Sequence, residues 1–141
     1  MIQTLAIALT LALAPAISKD EKDVRALLDG QVGAWNRKDL DGFLAGYWKS
    51  DQLSFYAGGV VTMGWQQTFD RYKKRYTGEG KEMGTLAFND LTIEILSPKL
   101  AFARGKWQLT MSQGLIQRGL FTLVLKKLPE GWRIVHDHSS Q

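Results

Sequence analysis

The chain has no cysteine in its 141 residues. Disulfides, thiolate metal sites and a cysteine nucleophile are therefore excluded. It also lacks a glycine-rich phosphate loop, a serine nucleophile elbow and a metalloprotease His-Glu-x-x-His signature. No segment repeats, none is of low complexity, and no linker divides the chain. Charge of one sign is only in slight excess, 18 Lys and Arg against 14 Asp and Glu, for a net charge of +4. The basic residues are spread over several segments, which reads as a solvated basic surface rather than a nucleic-acid footprint. What remains is an ordinary globular composition, 45% hydrophobic and 23% charged, of a length suited to one domain with a real core.

The one long apolar run lies at the start. From Leu5 to Ala14 every residue but Thr10 is apolar, and no charged side chain precedes Lys19. The run is shorter than the roughly 20 residues a membrane-spanning helix needs. With Ala16-Ile17-Ser18 behind it, or Ala14-Pro15-Ala16 as the alternative cleavage sequence, it reads as a signal peptide over residues 1–18. Its amino-terminal side carries no Lys or Arg, and no cysteine follows that could take a lipid. The expectation is a chain exported to the periplasm or medium, with no membrane association after cleavage and a domain over 19–141.

Val24, Leu27, Leu28, Gln31, Val32 and Trp35 recur at helical spacing, behind the acids Asp20, Glu21 and Asp23. Asn36 ends this helix and Asp39 caps a second, with Leu40, Phe43, Leu44 and Tyr47 as its stripe. Leu53–Ala57 and Val60–Met63 flank Gly58-Gly59 as a hairpin, and a third helix runs from Trp65 to Tyr76. Four strands follow, at Met83–Leu96 with a bulge at Asn89-Asp90, Leu100–Met111, Leu115–Lys127 and Trp132–His138. Short turns between them make an antiparallel meander, and the class is α+β with helices on one face of a curved sheet.

In this order the motifs resemble the nuclear transport factor 2-like, cystatin-like superfamily, in its SnoaL-like branch of small proteins without assigned function. The residues that carry the resemblance are Ala34-Trp35-Asn36 with Asp39-Leu40-Asp41, Gly46-Tyr47-Trp48, Gly58-Gly59, Gly64-Trp65 with Arg71-Tyr72, Gly119-Leu120-Phe121-Thr122, and Gly131 through Ser139. Lys38 stands where the family pattern usually has glycine. The final strand is also similar to that of the association domain of calcium/calmodulin-dependent kinase II, where the strand matching Phe102-Ala103-Arg104 supplies a pocket arginine. The resemblance implies a cone-shaped sheet around a helix-capped cavity, and commonly a homodimer through the outer sheet face. It embraces dehydratases, isomerases and cyclases as well as proteins without known chemistry, and fold alone does not choose among them.

His136 and His138 lie two apart, so a regular strand puts them on one face with Trp132 and Ile134 and sends Asp137 to the other. Their pKa range suits acid–base work, which makes them the catalytic candidates; structural histidines are the alternative reading. A metal site would need a third ligand that the sequence does not offer, and no cofactor is implied. Tyr47, Trp48, Tyr56 and Tyr72 are candidate pocket residues among the aromatics, with core packing as the alternative. Arg104 is either an outward charge or an anchor for an anion. The run Arg71-Tyr72-Lys73-Lys74-Arg75 reads as a solvated helix face beside one apolar-stripe tyrosine. The expected partners are a second copy of the chain and a small apolar or anionic ligand. Three functions remain in play: small-molecule binding, a cofactor-independent dehydratase, isomerase or cyclase with a histidine base, and a pure assembly module.

Overall fold

The computed structural model describes residues 7–141, so the first six residues of the expected signal peptide lie outside it. Residues 7–18 form neither helix nor strand, and Ile7, Leu9, Leu11 and Leu13 are exposed rather than packed on the domain. Among the described residues no helix is long and apolar enough to cross a membrane.

Helix α1 (Lys19–Asn36) begins where the Ser18 hydroxyl accepts from the Glu21 N–H at 3.1 Å. Asp20 and Glu21 sit in its first turn, where the helix dipole favours negative charge. Asp20 also accepts from Lys127 Nζ at 2.8 Å and Trp132 Nε1 at 3.2 Å, tying the start of the helix to the far end of the sheet. Val24, Leu28, Gln31, Ala34 and Trp35 form its buried stripe. At its end the Asn36 amide donates to the Leu86 carbonyl at 3.0 Å and accepts from the Leu86 N–H at 2.7 Å. Lys38 takes the left-handed conformation, φ 66°, which is the physical reason glycine suits this turn. Helix α2 (Leu40–Leu44) follows at once, its N–H at Gly42 capped by Asp39 at 2.8 Å.

Strands β1 (Ser54–Ala57) and β2 (Val60–Met63) turn on Gly58 and Gly59, both at positive φ (60° and 74°), as a two-residue hairpin requires. Helix α3 (Trp65–Tyr76) then lays Trp65, Phe69, Tyr72 and Tyr76 against the core. The meander is β3 (Thr85–Ser97), β4 (Leu100–Thr110), β5 (Ile116–Leu128) and β6 (Gly131–Ser139). The expected bulge in β3 is present between Asn89 and Thr92, with Asp90 at φ 52°.

The six strands form one sheet in the order β2-β1-β6-β5-β4-β3. Every neighbouring pair is antiparallel except β1 and β6, which run parallel with Ser54 opposite His136 and Tyr56 opposite His138. The inner face carries Ala101, Ala103, Phe121, Leu123, Leu125 and Ile134, all buried in the cluster that α1 and α2 complete. The fold is α+β, as the element order implied, with the helices on the inner side of a curved sheet.

Candidate functional site

Strand β6 carries a further bulge that the sequence reading did not foresee. Ile134 pairs with Leu125, but the next pair along is His136 with Val124, leaving Val135 as the extra residue. An inserted residue reverses the face of everything beyond it. Trp132 and Ile134 point inward as expected. His136 and His138 therefore do not share their face, and Asp137 and Ser139 turn inward instead.

Inward from them lies a cavity of about 150 Å³ between the sheet and the three helices. Its walls are mostly aromatic and aliphatic, among them Trp35, Phe43, Phe55, Phe121 and Leu123. Asp137 is on this surface and is only 3% exposed. Tyr47 Oη donates to its Oδ2 at 2.7 Å, and Ser139 Oγ donates to its Oδ1 at 2.7 Å. Burial pushes the Asp137 carboxyl up to about 6, against the opposing pull of the two hydroxyls and of His138. Burial, and then the charge of Asp137, hold the Tyr47 and Tyr72 hydroxyls well above the ordinary phenol range. Both tyrosines thus stay protonated, a pair of donors beside one carboxyl.

The backbone explains how Tyr47 arrives there. Directly after α2, the Ile134 N–H donates to the Gly46 carbonyl at 2.9 Å and the Trp48 N–H to the Ile134 carbonyl at 2.8 Å. A side chain at Gly46 would collide with Gln31, itself buried and bonded to the Phe43 carbonyl at 3.0 Å. The close approach brings the Tyr47 hydroxyl to Asp137.

Arg71 and Arg75 of α3 also line the cavity. Arg71 is fixed rather than solvated: it donates to Thr62 Oγ1 and to the Ala57 carbonyl, each at 2.9 Å, with its guanidinium 5.1 Å from the Phe55 ring centre. Arg75 lies over the Tyr76 ring and is exposed.

The sequence pattern of the SnoaL-like domain matches residues 24–141, which include every residue of this site. The chain belongs to the SnoaL-like domain family. A nuclear transport factor 2-like protein of unknown function from Shewanella oneidensis MR-1 is 38% identical, with a TM-score of 0.79 over 85% of this chain and 98% of the other. A nuclear transport factor 2-like superfamily protein from Salmonella enterica serovar Typhimurium is 21% identical, with a TM-score of 0.67 over 84% and 88%. A ketosteroid isomerase-like protein from Erwinia carotovora atroseptica is 17% identical, with a TM-score of 0.64 over 88% and 97%. The last two share the fold alone. None of the curated proteins matches.

Of the residues singled out from the sequence of this SnoaL-like domain, Tyr47 and Tyr72 line the cavity. Trp48 does not, although its backbone helps to place Tyr47. Tyr56, His136 and His138 lie together on the outer face, with the tyrosine ring 5.0 Å and 6.0 Å from the two imidazoles. His136 Nδ1 is 2.6 Å from Ser54 Oγ, and partial burial and the neighbouring His138 push its pKa down. The histidines therefore do not face the cavity, and the reason is the bulge at Val135. Arg104 also points outward, paired with Glu94 at 3.1 Å, because Ala101 and Ala103 take the inner positions of β4. The residues missed were Asp137, Ser139 and Arg71. The adjacent apolar pair Ile134-Val135, both buried, is the one local sign that alternation fails there.

Proposed function

We propose that this SnoaL-like domain binds a small, largely apolar molecule in the cavity and presents to it a few polar groups, the buried Asp137 carboxyl among them. The observation that carries this reading is a buried carboxyl, bonded by two hydroxyls, on the surface of a mostly apolar cavity. Few precisely placed polar groups among aromatic walls is the usual build of a small-molecule site. An assembly module would have no need to keep such a carboxyl. Native mass spectrometry of freshly purified protein tests the reading: retained mass on the wild type, lost when Leu123→Trp fills the cavity, is the expected result. No retained mass and no uptake of small aromatic probes would refute it.

A second reading is favoured by the titration of the same group. A carboxyl near 6 beside two protonated tyrosines can take a proton from a bound carbon acid while a hydroxyl donates to the developing oxyanion. The reaction class is a cofactor-independent isomerisation or elimination, for which the ketosteroid isomerase-like relative offers an analogy of fold. Asp137, not a histidine, is the base in this reading. Turnover of a candidate substrate that survives Asp137→Asn would remove it.

Two further proposals concern the whole chain. Apolar side chains on the outer sheet face, Tyr56, Val61, Met63 and Leu120, are between 39% and 58% exposed, which supports a homodimer through that face. Sedimentation as a monomer at micromolar concentration would refute it. The unpacked apolar segment before α1 supports export after removal of a signal peptide. Cleavage after Ser18 would remove the cap of α1, at a cost of about 1 kcal/mol, whereas cleavage after Ala16 keeps it. N-terminal sequencing of protein from its host distinguishes these, and an intact Met1 on cytoplasmic material would refute export.

A further inference from the structure

The cavity lining carries charges of both signs. Asp137 contributes its carboxyl. Arg71 and Arg75 contribute guanidinium groups, and among the described residues neither is ion-paired with a carboxylate. Arg71 is the decisive group. Its partners, Thr62 Oγ1 and the Ala57 carbonyl, are neutral, so they orient the guanidinium without compensating its charge. A guanidinium has five N–H donors in a rigid fork, and these two bonds leave part of that fork unused. A half-buried, pre-oriented cation without a counter-ion, on the wall of an apolar cavity, is a receptor for an anion.

We propose that the ligand is an amphipathic monocarboxylate, its carboxylate held by the Arg71 fork with Arg75 beside it and its apolar body in the cavity. This rests on the reading of the cavity as a small-molecule site and adds the class of ligand. The volume bounds the body: about 150 Å³ is the size of an apolar cavity that takes up a single benzene ring. Charge bounds the head group. Asp137 stands in the same cavity, so a second negative charge on the ligand would be opposed across a poorly screening interior. One carboxylate on a single-ring or short-chain body meets both limits.

Titration of the protein with phenylacetate and with its neutral counterpart phenylacetamide, followed by calorimetry and by the fluorescence of the cavity tryptophans Trp35 and Trp107, tests the proposal. Phenylacetate is expected to bind at least tenfold more tightly at pH 7.5, and to weaken with added salt. Arg71→Met should remove that preference, so that acid and amide bind alike. Arg71 also braces β1 and β2, so the exposed Arg75→Met provides a variant without that burden, expected to weaken phenylacetate alone by a few-fold. Phenyl phosphate should bind no better than phenylacetate. Equal binding of acid and amide to the wild type, or equal losses in Arg71→Met, would overturn the carboxylate assignment and leave the cavity reading standing. Preference for phenyl phosphate would also overturn it, in favour of a dianion. Failure of every probe to bind would overturn the cavity reading itself.

Discussion

Asp137→Asn isolates the cost of keeping a carboxylate in an apolar cavity. The side chain is almost the same size, so packing is retained, while the ionisable group is lost. Burial pushes the folded carboxyl up to about 6, from 3.8 in the unfolded chain, a difference equivalent to about 3 kcal/mol. The sign follows from proton binding. Between pH 4 and pH 6 the native state holds the proton that the unfolded state has released, so wild-type stability from this group falls as pH rises through that window. By pH 8 the full amount of about 3 kcal/mol has been lost. The amide has no such slope. At pH 4 it is expected to lie within about 1 kcal/mol of wild type, because the native carboxyl is then protonated and, like the amide, offers one strong acceptor oxygen and a donor to Tyr47 and Ser139. At pH 8 it should be more stable by about 2 kcal/mol. His136, whose pKa is pushed down, gives stability the opposite slope, lost as pH falls below its unfolded value, but both proteins share it and it cancels in the difference. Urea unfolding of the two proteins at half-unit steps from pH 4 to pH 8 measures the comparison. A stability difference that stays constant over this range would refute the account of Asp137 as a buried, proton-retaining group.

Tyr47→Phe removes a bond that favours the ionised carboxyl, so the Asp137 midpoint should rise above its wild-type position, as read by carboxyl carbon chemical shifts against pH. Asn36→Ala leaves both the N–H and the carbonyl of Leu86 on edge strand β3 without their side-chain partner; the expected loss is about 2 kcal/mol in urea unfolding, with β3 amides exchanging fastest. Leu120→Lys, on the outer face and 58% exposed, should leave the melting temperature of the folded monomer within a few degrees of wild type while halving the mass seen by sedimentation.

Most of the fold was legible because its signals are local. The α1 stripe, the Asp39 cap, the Gly58-Gly59 turn, helix α3 and the bulge at Asn89-Asp90 each depend on residues within a few positions of one another. The meander followed from short turns. The parallel pairing of β1 with β6 was not legible, since it joins segments some eighty positions apart and no hairpin links them. Tyr47 and Tyr72 were found as cavity residues because an aromatic stripe facing a sheet is a local pattern. Arg71 was not, because the same helix period that places Tyr72 inward makes its neighbour look solvated. Only the fold brings Thr62 and the Ala57 carbonyl to that guanidinium.

Asp137 shows most clearly why the site escaped a reading by alternation. Strand β6 changes its neighbour part-way along: Ile134 bonds to the Gly46–Trp48 segment, and from His136 onward the partner is β1. Val135, the bulged residue, sits at that handover. The inward turn of Asp137 is thus decided by two chain segments far away in sequence, and no local pattern encodes it. The same bulge sends two histidines, the residues best suited to neutral-pH chemistry, to the outer face and places a carboxylate where its charge is disfavoured. Local preference and burial both argue against that arrangement, and a fold selected for stability alone would carry an apolar residue at position 137. A costly buried carboxyl, held by Tyr47 and Ser139 on the wall of a cavity, is instead what a binding or proton-transfer site requires.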